Sequence, residues 1–461
     1  MRILCNLPLE CFDERAAMRG IELVTFRPPL RMMVDGVHFP FDVAFDPSTG
    51  SWDELAAALP DGFVPDLVLL YWPDQEPLPA GLEHCPHPIV GVISDYNLSL
   101  PYVAGLWPFF DVLLCDRAGV DLFRRLTFPD VRYWNQYAHK RPFHQLLPNA
   151  GPRDLDIGFV GNLNPSVQRE RAAWVERLRH LQDLGIAADA RSGICGEAYG
   201  QYLNRCKIGW NRSIRGEMNL RAFEVPACGA LLMMERENLE VADFFVPGEE
   251  CVLYDATDLE TVVQDLLANP TRLRRIAAAG HRRVQDHRLS RRIGQLEAVL
   301  TRPGPGRPVS TELDRVLGRA TAMLTSWAEG KTIVAAALAA HHLAPKDPRT
   351  LNLLALATLR WRGNDGGEAA WRLWHQAISL DPTYLPAATN LAALALAAGD
   401  SRLQRAAQHE VTRRAAAPTW AALDGPTLPL GYAERAIDRS LALQAAVRAG
   451  EPQLFAGALA L

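Results

Sequence analysis

The alternation of short apolar runs with helical stretches starts twice in this chain. Within residues 1–150 the runs are "RILCNL", "PDLVLLYW", "PIVGVIS" and "DVLLCD", each bounded by turn-forming residues. Runs of this length, nearly unbroken by polar residues, mark strands buried on both faces, and their alternation with helices predicts an open α/β sheet. At 154 the pattern begins again: "DLDIGFVGN" reads as a strand, and in the next segment Trp174, Leu178, Leu181 and Leu184 recur at helical spacing. The strands "KIGWNR", "ALLMM" and "CVLYD" follow, and Thr257 with Glu260 three residues later reads as a capping box for the helix after them. At 461 residues the chain is too long for one core and suggests two to four domains, because single cores stop growing near ~250–300 residues. The expectation is two Rossmann-like halves, 1–150 and 151–300.

A Pro/Gly-dense stretch, "TRPGPGRPVS", sets the linker 301–311. Beyond it, over 312–461, alanine and leucine dominate. Asp347-Pro348 and Asp381-Pro382 recur 34 residues apart, the tetratricopeptide period. The helix between them is expected to pack through Ala369, Leu373 and Ala377. Two repeats are readable; 312–345 and 401–461 read as flanking helices that cap the stack or dock it onto the α/β halves, because one repeat cannot bury its own face. A generic helical bundle with a coincidental spacing is the alternative. The fold class is therefore α/β, two Rossmann-like domains followed by an all-α tetratricopeptide-like region.

Several functions lack their signatures. A formal net charge of -5 gives no electrostatic reason for a nucleic-acid partner. The eight cysteines show neither metal-ligand spacing nor a disulfide framework, so no metal site is expected and a reducing, cytoplasmic setting fits. No apolar run approaches the ~20 residues of a transmembrane segment. The single glycine of "FVGN" is too few for a dinucleotide fingerprint, and P-loop, nucleophile-elbow and zincin motifs are missing. Asp154 and Asp156 resemble a metal-binding DxD but precede their strand, and read as its polar lead-in.

Chemistry concentrates in "NLRAFEVPACGALLMM", residues 219–234. Here "KIGWNR" gives a strand, "SIRGEM" a loop, "NLRAFEVPAC" a helix and Gly229 its stop. Ligands of open parallel sheets bind at the carboxyl ends of strands, where the helices start. Arg221 and Glu224 fall there. A helix N-terminus with an arginine beside it suits a diphosphate, and a carboxylate in the next turn suits a ribose diol, whose hydroxyls donate hydrogen bonds.

From "DIGFVGN" through "RAFEVPACGALLMMERENLEVADFFVPGEECVLYDATDLETVVQDLLANPTRLRRIAAAGHRRVQDH" the chain resembles the C-terminal half of glycosyltransferases of the GT-B fold, more narrowly the CgeB-like, group 1 branch. The resemblance covers roughly 154–300. It implies metal-independent transfer, without a cofactor, from a nucleoside-diphosphate sugar acting as co-substrate to a hydroxyl acceptor entering from the N-terminal half. It implies Glu224 as the ribose-binding glutamate, Arg221 in the matching "R-x-FE" pattern and Gly161, with Asn162, in the loop facing the donor phosphates; Arg215 and Asn219 join this donor-binding set. Many relatives carry an E-x7-E pair. Here Glu217 and Glu224 have six residues between them, so retention of configuration is not implied.

For the base, "PIVGVISDYN" places Asp95 at the end of a strand facing the cleft, with His139 the second choice. The aromatic residues at 71–72 and 133–137 read either as a sugar platform or as core. The repeats imply a protein acceptor or partner, with a glycan acceptor as the other option. The rival readings are a scaffold in which a degenerate transferase fold carries binding repeats, and, further off, a sugar-nucleotide epimerase.

Overall fold

The computed structural model describes residues 1–7, 12–28, 33–34, 37–164, 169–302 and 304–399, and beyond these 402, 405, 409, 425–428, 444–445 and 448–450. Two parallel sheets follow one another. The first contains β1 (Arg2–Cys5), β2 (Glu22–Arg27), β5 (Val43–Ala44), β6 (Leu67–Tyr71), β7 (Ile89–Val92), β8 (Val112–Cys115) and β9 (Val131–Tyr133). A small antiparallel hairpin, β3 (Met33–Val34) with β4 (Val37–His38), stands apart. The strand order β5-β2-β1-β6-β7-β8-β9 puts β1 inside the sheet, between β2 and β6, with Leu4 opposite both Val24 and Val68.

The second sheet is built from β10 (Leu155–Val160), β11 (Ala188–Arg191), β12 (Cys206–Trp210), β13 (Leu231–Glu235) and β14 (Val252–Tyr254), in the order β11-β10-β12-β13-β14. The inner strands β12 and β13 are buried on both faces, as expected of strands between two layers of helices, whereas the edge strand β11 is partly exposed. The helices of the first half are α1 (Trp52–Ala57), α2 (Tyr96–Val103) and α3 (Arg117–Arg125). Those of the second are α4 (Arg169–His180), α5 (Gly196–Arg205), α6 (Leu220–Ala227), α7 (Val241–Phe244), α8 (Leu259–Ala268), α9 (Pro270–Val284) and α10 (Leu289–Leu300). Although α10 lies inside the stretch read as the second half, its Leu289, Ile293 and Leu296 are buried against Ile3, Val90 and Leu114 of the first sheet.

Three local expectations are corrected. Leu184 is 52% exposed, because the helix carrying Trp174 and Leu178 ends at His180 and its extension stops at Gly185. Thr257 does not cap α8: it bonds Asp255, while Glu260 pairs with Arg177 at 2.6 Å. Ala369 is exposed, the buried stripe being Ala370, Trp374 and Ala377.

After a linker held to the first half by Arg307, which donates to the Cys85 carbonyl at 2.6 Å, come α11 (Glu312–Met323), α12 (Gly330–Leu343), α13 (Pro348–Arg362), α14 (Gly367–Leu380) and α15 (Leu385–Ala397). Asp347 caps α13, its carboxylate accepting from the Arg349 N–H at 2.8 Å, with Pro348 as the first helical residue. The array is docked on the first half through α11: a Cβ on Gly318 would strike the Gly105 carbonyl, so only glycine permits this approach. Residues 401–461, read as flanking helices, lie almost wholly outside the described residues. Among the described residues no helix is long and apolar enough to cross a membrane.

Candidate functional site

In the second sheet the chain leaves β10 toward β11 on one flank and returns through β12 to the other, so a crevice opens between the carboxyl ends of β10 and β12. Arg221 closes the floor of this crevice. Its Nε donates to the Val160 carbonyl at 2.8 Å and its Nη1 to Asn211 Oδ1 at 2.7 Å, one bond to the end of each strand. The guanidinium lies 4.3 Å from the Phe159 ring centroid.

A pocket of about 340 Å³ opens above it, and Gly161, Asn219, Arg221 and Glu224 all line it. These four come together because β10, β12 and α6 form one local unit. Two helices begin at the pocket. Asn219 is the N-cap of α6, its side chain accepting from the Ala222 N–H at 3.3 Å, and Cys195, also in the lining, is the N-cap of α5. Helix starts carry unsatisfied N–H groups and the positive end of the dipole, so two of them facing one space favour an anion there.

Glu224 sits one turn deeper and is 5% exposed. Its Oε1 is 3.7 Å from His144 Nδ1, and Tyr199 lines the same pocket, near enough for the carboxylate to act on its phenol. Burial first, and the Glu224 charge second, push the Tyr199 phenol well above its usual range. Tyr199 therefore stays protonated, a hydroxyl with a proton to donate. His144 reaches the pocket because the crossing segment is pinned to α5: Leu147 N–H donates to Asn204 Oδ1 at 3.0 Å, and Gly200 lacks the Cβ that would strike the Phe143 carbonyl.

Tyr137 and Lys140, from the segment joining the two halves, complete the wall. Lys140, His144, Cys195 and Tyr199 were missed in the sequence. A helix start at Cys195, directly after a strand, was the one available signal.

The other expected site residues are placed differently. Asn162 is exposed, and its Oδ1 accepts from the Asn164 N–H at 2.9 Å, shaping the loop after Gly161. Arg215 is outside the pocket lining. Its Nε donates to Asp116 Oδ2 at 3.0 Å, its Nη1 is 3.9 Å from Asp95, and its guanidinium lies 4.8 Å from the Tyr96 ring centroid. A residue of the second half thus bonds residues of the first. The backbone N–H of Arg117 crosses the same boundary, donating to Glu240 Oε1 at 2.9 Å.

Glu217 accepts from the Arg215 N–H at 2.7 Å and the Ile214 N–H at 3.3 Å, so its carboxylate braces its own loop. Asp95 follows β7, partly exposed, beside Arg215. His139 is 2% exposed and not in the lining; burial, then the charges of His144, Arg288, Arg141 and His281, push its pKa down to about 3.

Of the aromatic residues, Tyr71 and Trp134 are core, 6.2 Å apart edge to face, whereas Tyr137 faces the pocket. Asp154 and Asp156 pair with Arg205 and Lys207, each at 2.6 Å, at the start of β10 and away from the crevice. Among the described residues no three His, Cys, Asp or Glu side chains cluster as metal ligands.

Architecture and site together define a tandem α/β protein with an anion-favouring crevice at the switch point of its second sheet. Residues 141–298, which span that whole unit, match the family model described as glycosyl transferase-like. A comparison with curated proteins gives no match. Among solved structures, the chain is similar to the sucrose-phosphate synthase of Thermosynechococcus elongatus, 13% identical over 65% of this chain and 98% of that one, TM-score 0.41. It is similar also to HepE of Anabaena, determined with UDP and glucose, 11% identical over 65% of this chain and 100% of that one, TM-score 0.41. The pneumococcal O-GlcNAc transferase GtfA, determined with UDP and GlcNAc, is 12% identical over 51% of this chain and 57% of that one, TM-score 0.35.

Proposed function

We propose that this chain is a metal-independent GT-B glycosyltransferase, taking a sugar from a nucleoside-diphosphate donor held in the β10/β12 crevice and passing it to a hydroxyl acceptor. One observation carries the reading: Gly161, Arg221, Glu224 and the starts of α5 and α6 meet on a single pocket of about 340 Å³. That size lies within the ~300–1,000 Å³ of small-molecule sites. The diphosphate lies over Gly161 and the two helix starts; Glu224, beside Tyr199 and His144, accepts hydrogen bonds from the ribose diol. The family match over 141–298 supports the same reading.

As the bond from the anomeric carbon to the diphosphate breaks, negative charge gathers on the leaving oxygens. Fixed N–H groups and the restrained Arg221 guanidinium stabilise that charge without reorganising, and losing one such donor costs ~10²- to 10³-fold in turnover. The base is Asp95, at the carboxyl end of a first-sheet strand, rather than His139, whose pKa of about 3 makes it a weak proton acceptor at neutral pH. The helical region is a tetratricopeptide-like array that recruits a protein acceptor.

The experiment is donor hydrolysis over a panel of nucleotide sugars, with thermal-shift screening against UDP, GDP, ADP, CMP and dTDP. Slow hydrolysis abolished by Glu224→Ala is expected; no binding of any nucleotide would sink the reading. The bracing role of Glu217 favours a second reading, a binding scaffold on a degenerate transferase fold, for which the same screen gives neither turnover nor nucleotide binding.

A further inference from the structure

The helical array grips one loop of the first half at alternate residues. From α11 and the turn after it, three side chains reach the loop 72–79 that follows β6. Thr325 Oγ1 donates to the Asp74 carbonyl at 3.0 Å, Trp327 Nε1 to the Glu76 carboxylate, and Arg319 Nε to the Leu78 carbonyl at 2.8 Å. The other oxygen of Glu76 accepts from Arg27 at the end of β2, and these two side chains are only 12% and 14% exposed. A carboxylate this buried depends on its donors, because losing one leaves an oxygen out of reach of water. The array thus supplies half of what holds Glu76 in place.

The loop needs such ties. It starts at Trp72 with φ of 52°, a left-handed conformation that bulky side chains seldom adopt and that persists only where the surroundings fix it. The first half fixes this end: the Trp72 N–H donates to the Val92 carbonyl and its indole to Gln136 Oε1, each at 2.9 Å. The array fixes the other. Between the residues it holds lies Gln75, whose Nε2 is 3.5 Å from Asp95 Oδ2, while Arg215 Nη1 is 3.9 Å from Asp95 Oδ1. The Asp95 carboxylate therefore faces one donor from the array-held loop and one from the second half.

We propose that Gln75, held by Thr325 and Trp327, is a positioning residue for the Asp95 carboxylate, so that the helical array sets the aim of the base. The inference rests on the transferase reading for the role of Asp95. In that step Asp95 takes the proton of the acceptor hydroxyl, the hydroxyl oxygen bonds to the anomeric carbon, and the electron pair of the broken bond leaves with the diphosphate. A change at the corner between α11 and α12 is then felt in turnover rather than in donor affinity.

The test uses the full chain and the nucleotide sugar that it hydrolyses fastest. Trp327→Phe keeps a ring and deletes the N–H. It is expected to lower kcat about tenfold or more with donor KM within about twofold of wild type, because a misaimed base forfeits part of the ~10²- to 10⁴-fold that such catalysis supplies. Gln75→Leu should give the same loss, and the double variant no more than either alone, as for two residues acting through one carboxylate. Thr325→Val should also slow turnover, whereas Thr325→Ser, which keeps the hydroxyl, should restore it; this pair replaces Trp327→Phe if that variant does not fold. Additive losses, or an unchanged kcat in a folded variant, would overturn the proposal. Wild type that hydrolyses no donor sinks the transferase reading alone, and the coupling is then read by hydrogen–deuterium exchange. Trp327→Phe should speed exchange at residues 73–76 and 94–98 together, and unchanged exchange at 94–98 rejects the link to Asp95.

Discussion

The Nη2 of Arg221 lies so close to Gly161 that a Cβ at that position would come within 2.5 Å of it. The arginine cannot retreat easily, since its other nitrogens are bonded to Val160 and Asn211. Gly161→Ala should therefore break one of those bonds or tilt the guanidinium. A bond to a charged group is worth about 1.5–3 kcal/mol, so calorimetry should show nucleoside-diphosphate affinity falling by roughly 10- to 100-fold. Unchanged affinity would detach Arg221 from anion binding.

Glu224→Gln keeps the shape of the side chain and halves its capacity to accept. If the carboxylate holds a ribose diol, affinity for the nucleoside diphosphate should fall about tenfold or more, whereas inorganic pyrophosphate, which has no ribose, should bind as before. Parallel loss of both ligands would assign Glu224 to the pocket wall alone.

Arg215 is 4% exposed at its side chain, against Asp116 at 9% and Glu217 at 5%. Removing the cation leaves two buried carboxylates facing each other across the two halves. Breaking a buried pair costs about 3–5 kcal/mol, and Arg215→Ala should lower the urea midpoint accordingly. A near-wild-type midpoint would show the network to be dispensable.

Acid should destabilise the protein through buried histidines. The pKa of His139 is pushed down to about 3, and that of His287 to about 4 by burial and then Arg292. Both fall below the ordinary ~6.5, so between these values the unfolded chain holds more protons than the folded one. Their contribution is complete above about pH 6.5 and is lost as pH falls through that window. Each accounts for on the order of 2 kcal/mol between pH 7.5 and 5. Urea unfolding of His139→Asn at the two pH values should show a correspondingly smaller difference than wild type.

What the sequence made legible was what one contiguous unit determines. Strand, loop, Asn219 cap, Arg221, Glu224 and the Gly229 stop, with φ of 74°, are all set within about twenty residues, and the structure gathers the first three functional side chains with Gly161 on one pocket. The walls supplied from farther away were not legible. His144 and Tyr199 arrive through the contact of Gly200 with the Phe143 carbonyl, a contact with no periodic trace. Arg215 illustrates a different limit: an arginine near a helix start serves an anion or a carboxylate equally well, and Asp116, 99 residues away, decides which. The helix phase at Ala369 was misread by one position because alanine, small on every face, carries little phase information beside Trp374.

The course of α10 bears on how the molecule can be divided. By chain order it ends the second half, yet Leu289, Ile293 and Leu296 shield Ile3, Val90 and Leu114. A recombinant fragment stopping at residue 150 would lack that shield and expose a bare apolar wall, while one starting at 151 would carry an unmatched greasy tail. Neither piece is a sound unit for expression, and complementation between separately produced fragments should need residues 285–300 supplied with the first.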